Sequence, residues 1–228
     1  MIPSNHVVIV AGGSGTRMGT DTPKQFLKIN GKPILMHTIE KFLFISPQPN
    51  IVLVLPQNQI KIWEKLCEEH SFFHNIDIVV GGNTRFQSVK NGLSKIPPNN
   101  SLVAIHDGVR PFVSVDVITR CFQTAEIHES AIPVIKPVES VRIIDNGSSK
   151  PFDRNNVFLV QTPQVFKSKL IKECYSKPEQ NFFTDDASVF EYYGYQVTTL
   201  EGNRENIKIT TPFDLLIANA LINKKQNS

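Results

Sequence analysis

Val7-Val8-Ile9-Val10-Ala11-Gly12-Gly13-Ser14-Gly15-Thr16-Arg17-Met18-Gly19, closely followed by Thr22-Pro23-Lys24-Gln25-Phe26, is the stretch that decides the fold. Its unbroken β-branched block predicts a buried strand. The glycines after it predict a loop whose successive backbone N–H groups face one anion, with a phosphate allowed close to the main chain. Arg17 and Lys24 then lie within reach of whatever the loop holds. Two familiar glycine loops are excluded. No glycine opens a G-x-x-x-x-G-K-[ST] match, and Met18 stands where the third glycine of G-x-G-x-x-G belongs. A glycine pair alone would favour an ordinary strand-to-helix turn. Three glycines and two cations favour a nucleotide site.

Working outward from this loop, strand and helix patterns alternate. Lys32-Pro33 opens a helix with Ile34, Leu35, Ile39, Phe42 and Leu43 on one face. Residues 51–55 read as a buried strand ended by Pro56, and the next helix is expected to bury Ile62, Leu66 and Cys67. Residues 76–80 form a third strand, Phe86, Val89 and Leu93 mark a helix, and residues 102–105 form a fourth strand. Ser114 is placed to cap a helix bearing Val117, Ile118, Cys121, Phe122 and Ala125. Such alternation predicts an α/β, Rossmann-like, mostly parallel sheet with helices on both faces and ligands at the carboxyl ends of its strands.

The pattern changes near residue 130. Residues 131–138 and 140–144 are strand-like, Asp145-Asn146-Gly147 is a hairpin turn signal, and extended chain returns by residues 157–161. The segment at about 137–157 therefore predicts a β-arm standing off the sheet. Before its turn the arm carries Val138, Val141, Ile143 and Ile144, which a lone two-stranded hairpin leaves in need of a covering surface. Helices are expected near 168–175 and 185–193, short strands at 195–200 and 206–209, and a final helix opened by Thr211-Pro212 with Asp214 at the capping-box position. Residues 224–228 read as a frayed tail.

The 228 residues suit one domain, 1–228, with an ordinary soluble composition of 40% hydrophobic and 20% charged residues. No apolar run approaches a membrane span, and no basic segment leads into an apolar core as in a secretory signal. Cys67, Cys121 and Cys174 are widely spaced and read as core thiols of a reducing, cytoplasmic compartment. A net charge of +3 without a basic run argues against nucleic acid and suits small phosphorylated substrates.

Several polar motifs fall after strands. In Gly81-Gly82-Asn83-Thr84-Arg85-Phe86-Gln87-Ser88, backbone groups and the Ser88 hydroxyl can read the edge of a base, or Asn83 or Thr84 can simply cap a helix. In Ala104-Ile105-His106-Asp107-Gly108-Val109-Arg110-Pro111, Asp107 is the candidate ligand for Mg²⁺ or another divalent cation, which binds few carboxylates plus phosphate oxygens. The alternative is that Asp107 pairs with Arg110 or caps a turn. His106 has no cysteine or acidic cluster beside it and reads as a core or supporting residue. Asp153-Arg154 could be a surface ion pair contributing little. Thr184, in Phe183-Thr184-Asp185-Asp186-Ala187, reads as a helix cap, and a lysine such as Lys208 in a short apolar run more often faces solvent.

These blocks, in this order and spanning residues 7–215, resemble the cytidylyltransferases that act on 2-C-methyl-D-erythritol 4-phosphate and their relatives that act on ribitol 5-phosphate. The opening loop with Pro23-Lys24-Gln25, the Gln161-Thr162-Pro163-Gln164 turn and Gly202-Asn203-Arg204-Glu205-Asn206-Ile207-Lys208 are its most specific parts. The resemblance implies transfer of a cytidylyl group from CTP to a polyol phosphate, with release of pyrophosphate. It implies nucleotide binding by Ala11, Gly12, Gly13, Ser14, Gly15, Thr16, Gly82, Asn83, Arg85 and Ser88. It assigns the transition-state charge to Arg17 and Lys24, a metal to Asp107, and the acceptor side to Asp107, Arg110, Ser140, Arg154, Thr162 and Lys208. Ser140 stands where the family commonly has Thr, keeping the hydroxyl, and Asn83 brings no charge where an acidic residue can occur. The arm is implied to pair with that of a second copy, making a homodimer. The alternatives are the ribitol 5-phosphate reaction, a nucleotide-binding regulator without turnover, and a dinucleotide-dependent dehydrogenase, the last disfavoured by the failed fingerprint.

Overall fold

The computed structural model describes residues 5–12, 22–98 and 101–226. The opening β-branched block forms β1 (His6–Val10). It is followed by a two-residue hairpin, β2 (Lys28–Ile29) and β3 (Lys32–Pro33), and by α1 (Ile34–Leu43). Pro33 thus caps the helix from the end of a strand, one step later than its sequence suggests. Next come β4 (Asn50–Leu55), α2 (Ile60–Glu69), β5 (Ile76–Val80), α3 (Arg85–Leu93) and β6 (Leu102–Asp107). Ser114 caps α4 (Val115–His128), its hydroxyl accepting from the Val117 N–H at 3.1 Å. The second half runs β7 (Ser130–Ile135), β8 (Val141–Asp145), β9 (Ser148–Phe152), β10 (Leu159–Val160), β11 (Gln164–Lys167) and α5 (Ser168–Ser176). It closes with α6 (Asp186–Tyr192), β12 (Thr199–Glu201) and α7 (Pro212–Gln226).

The main sheet has the order β10-β7-β11-β6-β1-β4-β5, with β12 also on β7. β1, β4, β5 and β6 are mutually parallel, and β11 runs against both β6 and β7. The strands point alternate residues to opposite faces. Val7 and Ile9 pack with Leu35, Phe42, Trp63 and Ile118 on one side. Val8 and Val52 pack with Val89, Phe166, Ile171 and Phe190 on the other. A smaller core joins the β2–β3 hairpin to α7 through Ile29, Ile209 and Ala218. Gly108 follows β6 where a Cβ would lie 2.8 Å from that of Ala11, so the first and fourth strand ends meet closely only because it has none.

Several expectations are corrected. Trp63 is the fully buried anchor of α2, while Ile62 faces solvent, because Ile60, Trp63 and Leu66 share the inward stripe. The strand expected at 131–138 ends at Ile135, and that expected at 195–200 is confined to Thr199–Glu201. Residues 206–209 are not a strand; side-chain hydrogen bonds hold them instead of a ladder. Asp185, and not Thr184, caps α6, accepting from the Ser188 N–H at 2.9 Å in a capping box. α7 continues to Gln226, so residues 224–226 are helical; 227–228 lie outside the described residues. At its start, the Thr210 and Thr211 N–H groups donate to Asp214, as the capping box requires.

β8 and β9 form a separate antiparallel pair, turned by Asn146 and Gly147 at φ 46° and 78°. Both residues adopt the left-handed conformation of a two-residue hairpin turn, which Asn-Gly tolerates. Val138, Ile143 and Ile144 on this arm are 61%, 47% and 68% exposed.

Candidate active site

The polar motifs gather at the carboxyl edge of the parallel strands, around a cavity of about 360 Å³. The chain after β1 delivers Ala11 and Gly12, the loop after β5 delivers Gly82 and Asn83, the start of α3 delivers Arg85 and Ser88, and β6 ends on Asp107. Lys24 and Lys208 complete the wall from outside the sheet. Gly13, Ser14, Gly15, Thr16 and Arg17 lie outside the described residues.

Lys24 sits on a single 3₁₀ turn, Lys24–Phe26, anchored by its neighbours. The buried Gln25 donates from Nε2 to the Ala11 carbonyl at 2.7 Å and also to Oε1 of Gln59. Phe26 stacks on Trp63 with ring centres 6.4 Å apart. The lysine is therefore tied to the end of β1.

In the loop after β5, the Ser88 hydroxyl donates to the Thr84 carbonyl at 2.9 Å and accepts from the Gly82 N–H at 3.1 Å. Thr84 caps α3 by accepting from the Gln87 N–H at 3.1 Å, and the Asn83 N–H donates to Gln87 Oε1 at 3.0 Å. Ser88 thus shapes the loop and also lines the cavity.

Asp107 is the electrostatic centre. Its Oδ2 takes Arg110 Nε and Lys208 Nζ, each at 3.1 Å, while Arg85 Nε stays 4.0 Å from Oδ1. Burial alone would raise its pKa, but Lys208, then Arg85 and Arg110, overcome burial and hold the carboxyl well below the usual range. The alternative reading, a pairing of Asp107 with Arg110, is present, and Lys208 adds to it. Among the described residues no group of three His, Cys, Asp or Glu could form a metal cage. The expectation that Asp107 holds Mg²⁺ meets a carboxylate already ringed by Lys208, Arg110 and Arg85, so an ion of the phosphate-borne kind would rest mainly on its own phosphates.

His106 is fully buried behind this carboxylate. Its Nε2–H donates to the Arg110 carbonyl at 3.1 Å, so Nδ1 accepts from the Thr162 hydroxyl at 3.0 Å. That hydroxyl in turn accepts from the Asp107 N–H at 3.1 Å. Burial pushes the His106 pKa down to about 4 despite Asp107, so the ring is neutral. Thr162 is correspondingly occupied on both sides and supports Asp107 from behind.

Lys208 reaches the site on an irregular segment held by amides. Asn206 is fully buried; its Nδ2 donates to the Thr162 carbonyl at 2.9 Å and its carbonyl accepts from Arg110 Nη1 at 2.8 Å. Gln161 Nε2 donates to the Asn203 carbonyl at 2.9 Å, and the Ile209 N–H donates to the Val109 carbonyl at 3.0 Å. The Asn203–Lys208 and Gln161–Thr162 motifs are thus one scaffold. Gln161, Asn203 and Asn206 lie within the quoted motifs, but nothing in the sequence signals the bracing role that their side-chain amides play.

Arg85 makes a contact that the sequence concealed. It pairs bidentately with Asp186, Nη1–Oδ1 at 2.9 Å and Nη2–Oδ2 at 2.6 Å, and Tyr175 donates to Asp186 Oδ1 at 2.6 Å. The arm residues are elsewhere. Ser140 and Arg154 are exposed, neither lines the cavity, and Arg154 Nη1 donates to the Val138 carbonyl at 2.5 Å. Burial pushes the thiols of Cys67, Cys121 and Cys174 up, to about 11, 12 and 11, which disfavours the thiolate.

Residues 5–224 match the family described as IspD, 2-C-methyl-D-erythritol 4-phosphate cytidylyltransferase. The chain is 53% identical over 216 residues to the enzyme of that name from Bacteroides thetaiotaomicron, covering 95% of this chain and 98% of the relative. It is 54% identical over 215 residues to that from Bacteroides fragilis, covering 94% and 98%. Its fold is similar to the crystal structure of 4-diphosphocytidyl-2C-methyl-D-erythritol synthase from Anaerococcus prevotii, with a TM-score of 0.84 at 31% identity, covering 97% of this chain and 96% of that one.

Proposed function

The chain belongs to the 2-C-methyl-D-erythritol 4-phosphate cytidylyltransferase family, and we propose that it joins CTP to 2-C-methyl-D-erythritol 4-phosphate in the cleft between Lys24, Asp107 and Lys208. The products are 4-diphosphocytidyl-2-C-methyl-D-erythritol, an isoprenoid precursor, and pyrophosphate. The observation that carries this placement is the single carboxylate clamped by three cations beside a glycine-lined cavity.

An acceptor phosphate oxygen attacks the α-phosphorus of CTP in line, and the bond to the bridging oxygen of the leaving pyrophosphate breaks. The nucleophile is ionised at neutral pH, so no general base is required, and the buried, neutral His106 serves as none. The difficulty is to bring two polyanions together, which positioning and fixed positive charge accomplish. Lys24 and Arg17 take the charge developing on the triphosphate. Ala11, Gly12 and the Gly82–Ser88 segment read the pyrimidine edge, and the family resemblance gives nucleotide binding to Gly13, Ser14, Gly15 and Thr16 as well. Lys208 and Arg110 draw the acceptor phosphate toward a cavity of about 260 Å³ that they line together with Asp107 and Thr162. Mg²⁺, when bound, would be carried by the triphosphate oxygens and supply neutralisation of their charge.

The exposed apolar residues of the arm support a homodimer in which Ser140 and Arg154 of one copy complete the acceptor side of the other. Residues 1–228 then act as one nucleotidyltransferase domain bearing that arm. No helix among the described residues is long and apolar enough to cross a membrane. The three unbridged cysteines suit the cytoplasm.

Pyrophosphate release tests the substrates. CTP with 2-C-methyl-D-erythritol 4-phosphate should give rapid release, with UTP a weak substitute for CTP and ATP and GTP poor. Faster release with ribitol 5-phosphate would transfer the assignment to that acceptor, and none with either would leave a nucleotide-binding regulator.

A further inference from the structure

We propose that Gln25 is a positioning residue that aims Lys24 at the triphosphate by locking the lysine's turn to the end of β1 and to the start of α2; this rests on the reading above that Lys24 takes the charge developing on the triphosphate. Gln25 is fully buried and stands in the cavity wall beside Lys24. Its Nε2 carries two hydrogens, and both are used. One goes to the Ala11 carbonyl at 2.7 Å and the other to Gln59 Oε1. A carbonyl can only accept, so Ala11 fixes which way the amide faces. Gln25 Oε1 has no partner among the described residues. A buried acceptor without a donor costs free energy, so an amide kept for stability alone would have both ends satisfied. The two donors are what this position requires.

Three chain segments meet on this amide. Ala11 directly follows β1 and precedes Gly12, and its own N–H donates to the Val54 carbonyl of β4 at 3.0 Å. Gln59 stands at the N-cap of α2 without capping it, one turn before Trp63, so the two share a helix face. They hold consecutive residues: Gln59 takes the Gln25 amide, and Trp63 stacks on Phe26. Within the turn, the Phe26 N–H donates to the Pro23 carbonyl at 2.8 Å and the Leu27 N–H to the Lys24 carbonyl at 3.2 Å. A lysine is a point charge on a flexible four-carbon stem, so it delivers that charge to one place only from a fixed backbone. With the Gln25 donors removed, the turn still packs on α2 through Phe26 but loses this hydrogen bond to the end of β1.

Steady-state release of pyrophosphate from radiolabelled CTP and 2-C-methyl-D-erythritol 4-phosphate by the full-length protein, arranged as a double-mutant cycle, tests this. Gln25→Met keeps an unbranched side chain of similar length and removes both donors. It should lower kcat about 10- to 100-fold, the scale of a misplacement of about 1 Å, and move KM for CTP by less than about threefold. In a Lys24→Ala background the same substitution should change kcat by less than about twofold, because no ammonium is left to misplace. Gln59→Leu should shift kcat in the same direction by less, and it carries the cycle if Gln25→Met does not fold by circular dichroism. The inference is overturned if Gln25→Met, or Gln59→Leu in its place, has wild-type kcat or loses activity through KM alone. It is also overturned if the loss is as large in the Lys24→Ala background as without it, which marks a residue that only supports the fold. Wild-type kcat in Lys24→Ala itself, or no release by the wild-type protein, would remove the reading of Lys24 and the inference with it.

Discussion

Asp107 and His106 are adjacent in sequence and opposite in character. One is surrounded by cations at the mouth of the cleft; the other is shut behind it, neutral. A histidine whose pKa falls from 6.5 to about 4 on folding binds fewer protons folded than unfolded. Stability is then full above pH 6.5 and lost as pH falls from 6.5 toward 4, by about 3 kcal/mol at most. Denaturant titrations at pH 7 and pH 4.5 should show this loss, and in His106→Gln the difference should shrink, with His6 and His37, also lowered by burial, supplying part of what remains. Lys208→Met, by contrast, removes a half-exposed cation and should cost about 100-fold in kcat with little change in unfolding midpoint, read by steady-state kinetics and thermal melting. Asp107, His106 and Lys208 were legible because each sits in a motif after a strand or in a matched block. Asp186 was not. A buried aspartate is rare, and its partner lies 101 positions away in the chain, so no local spacing marks the pair.

Among the elements, those with a hydrophobic period were readable and those held by side-chain amides were not. β1, β4 and β6 announce themselves as β-branched runs because both faces of the sheet are covered. α2 was recognisable as a helix with Leu66 and Cys67 on its core face, but Trp63, not Ile62, is its buried anchor. The segment 203–209 has no period at all; its shape comes from Asn203, Asn206 and Gln161 bonding to neighbouring carbonyls. Asn206→Ala would leave the buried Thr162 carbonyl without this donor and loosen the strap that presents Lys208. It should destabilise the protein by about 1–3 kcal/mol in urea titrations and also lower kcat. A variant that lost activity with an unchanged urea midpoint would show that Asn206 does not brace the strap.

For the molecule as a whole, the arm is the unfinished part. Its two strands pair only with each other, and its apolar residues meet water. A dimer would cover them and bring Arg154 of one copy to the cleft of the other, whose own chain supplies Lys24, Asp107 and Lys208. Co-folding Arg154→Ala chains with Lys24→Ala chains measures directly whether one site draws on two subunits. Each homodimer should be nearly inactive. In a heterodimer one of the two sites regains both cations, so an equal mixture should recover about a quarter of wild-type pyrophosphate release. A mixture that contains heterodimers by mass and stays as inactive as its parents would contradict the shared site.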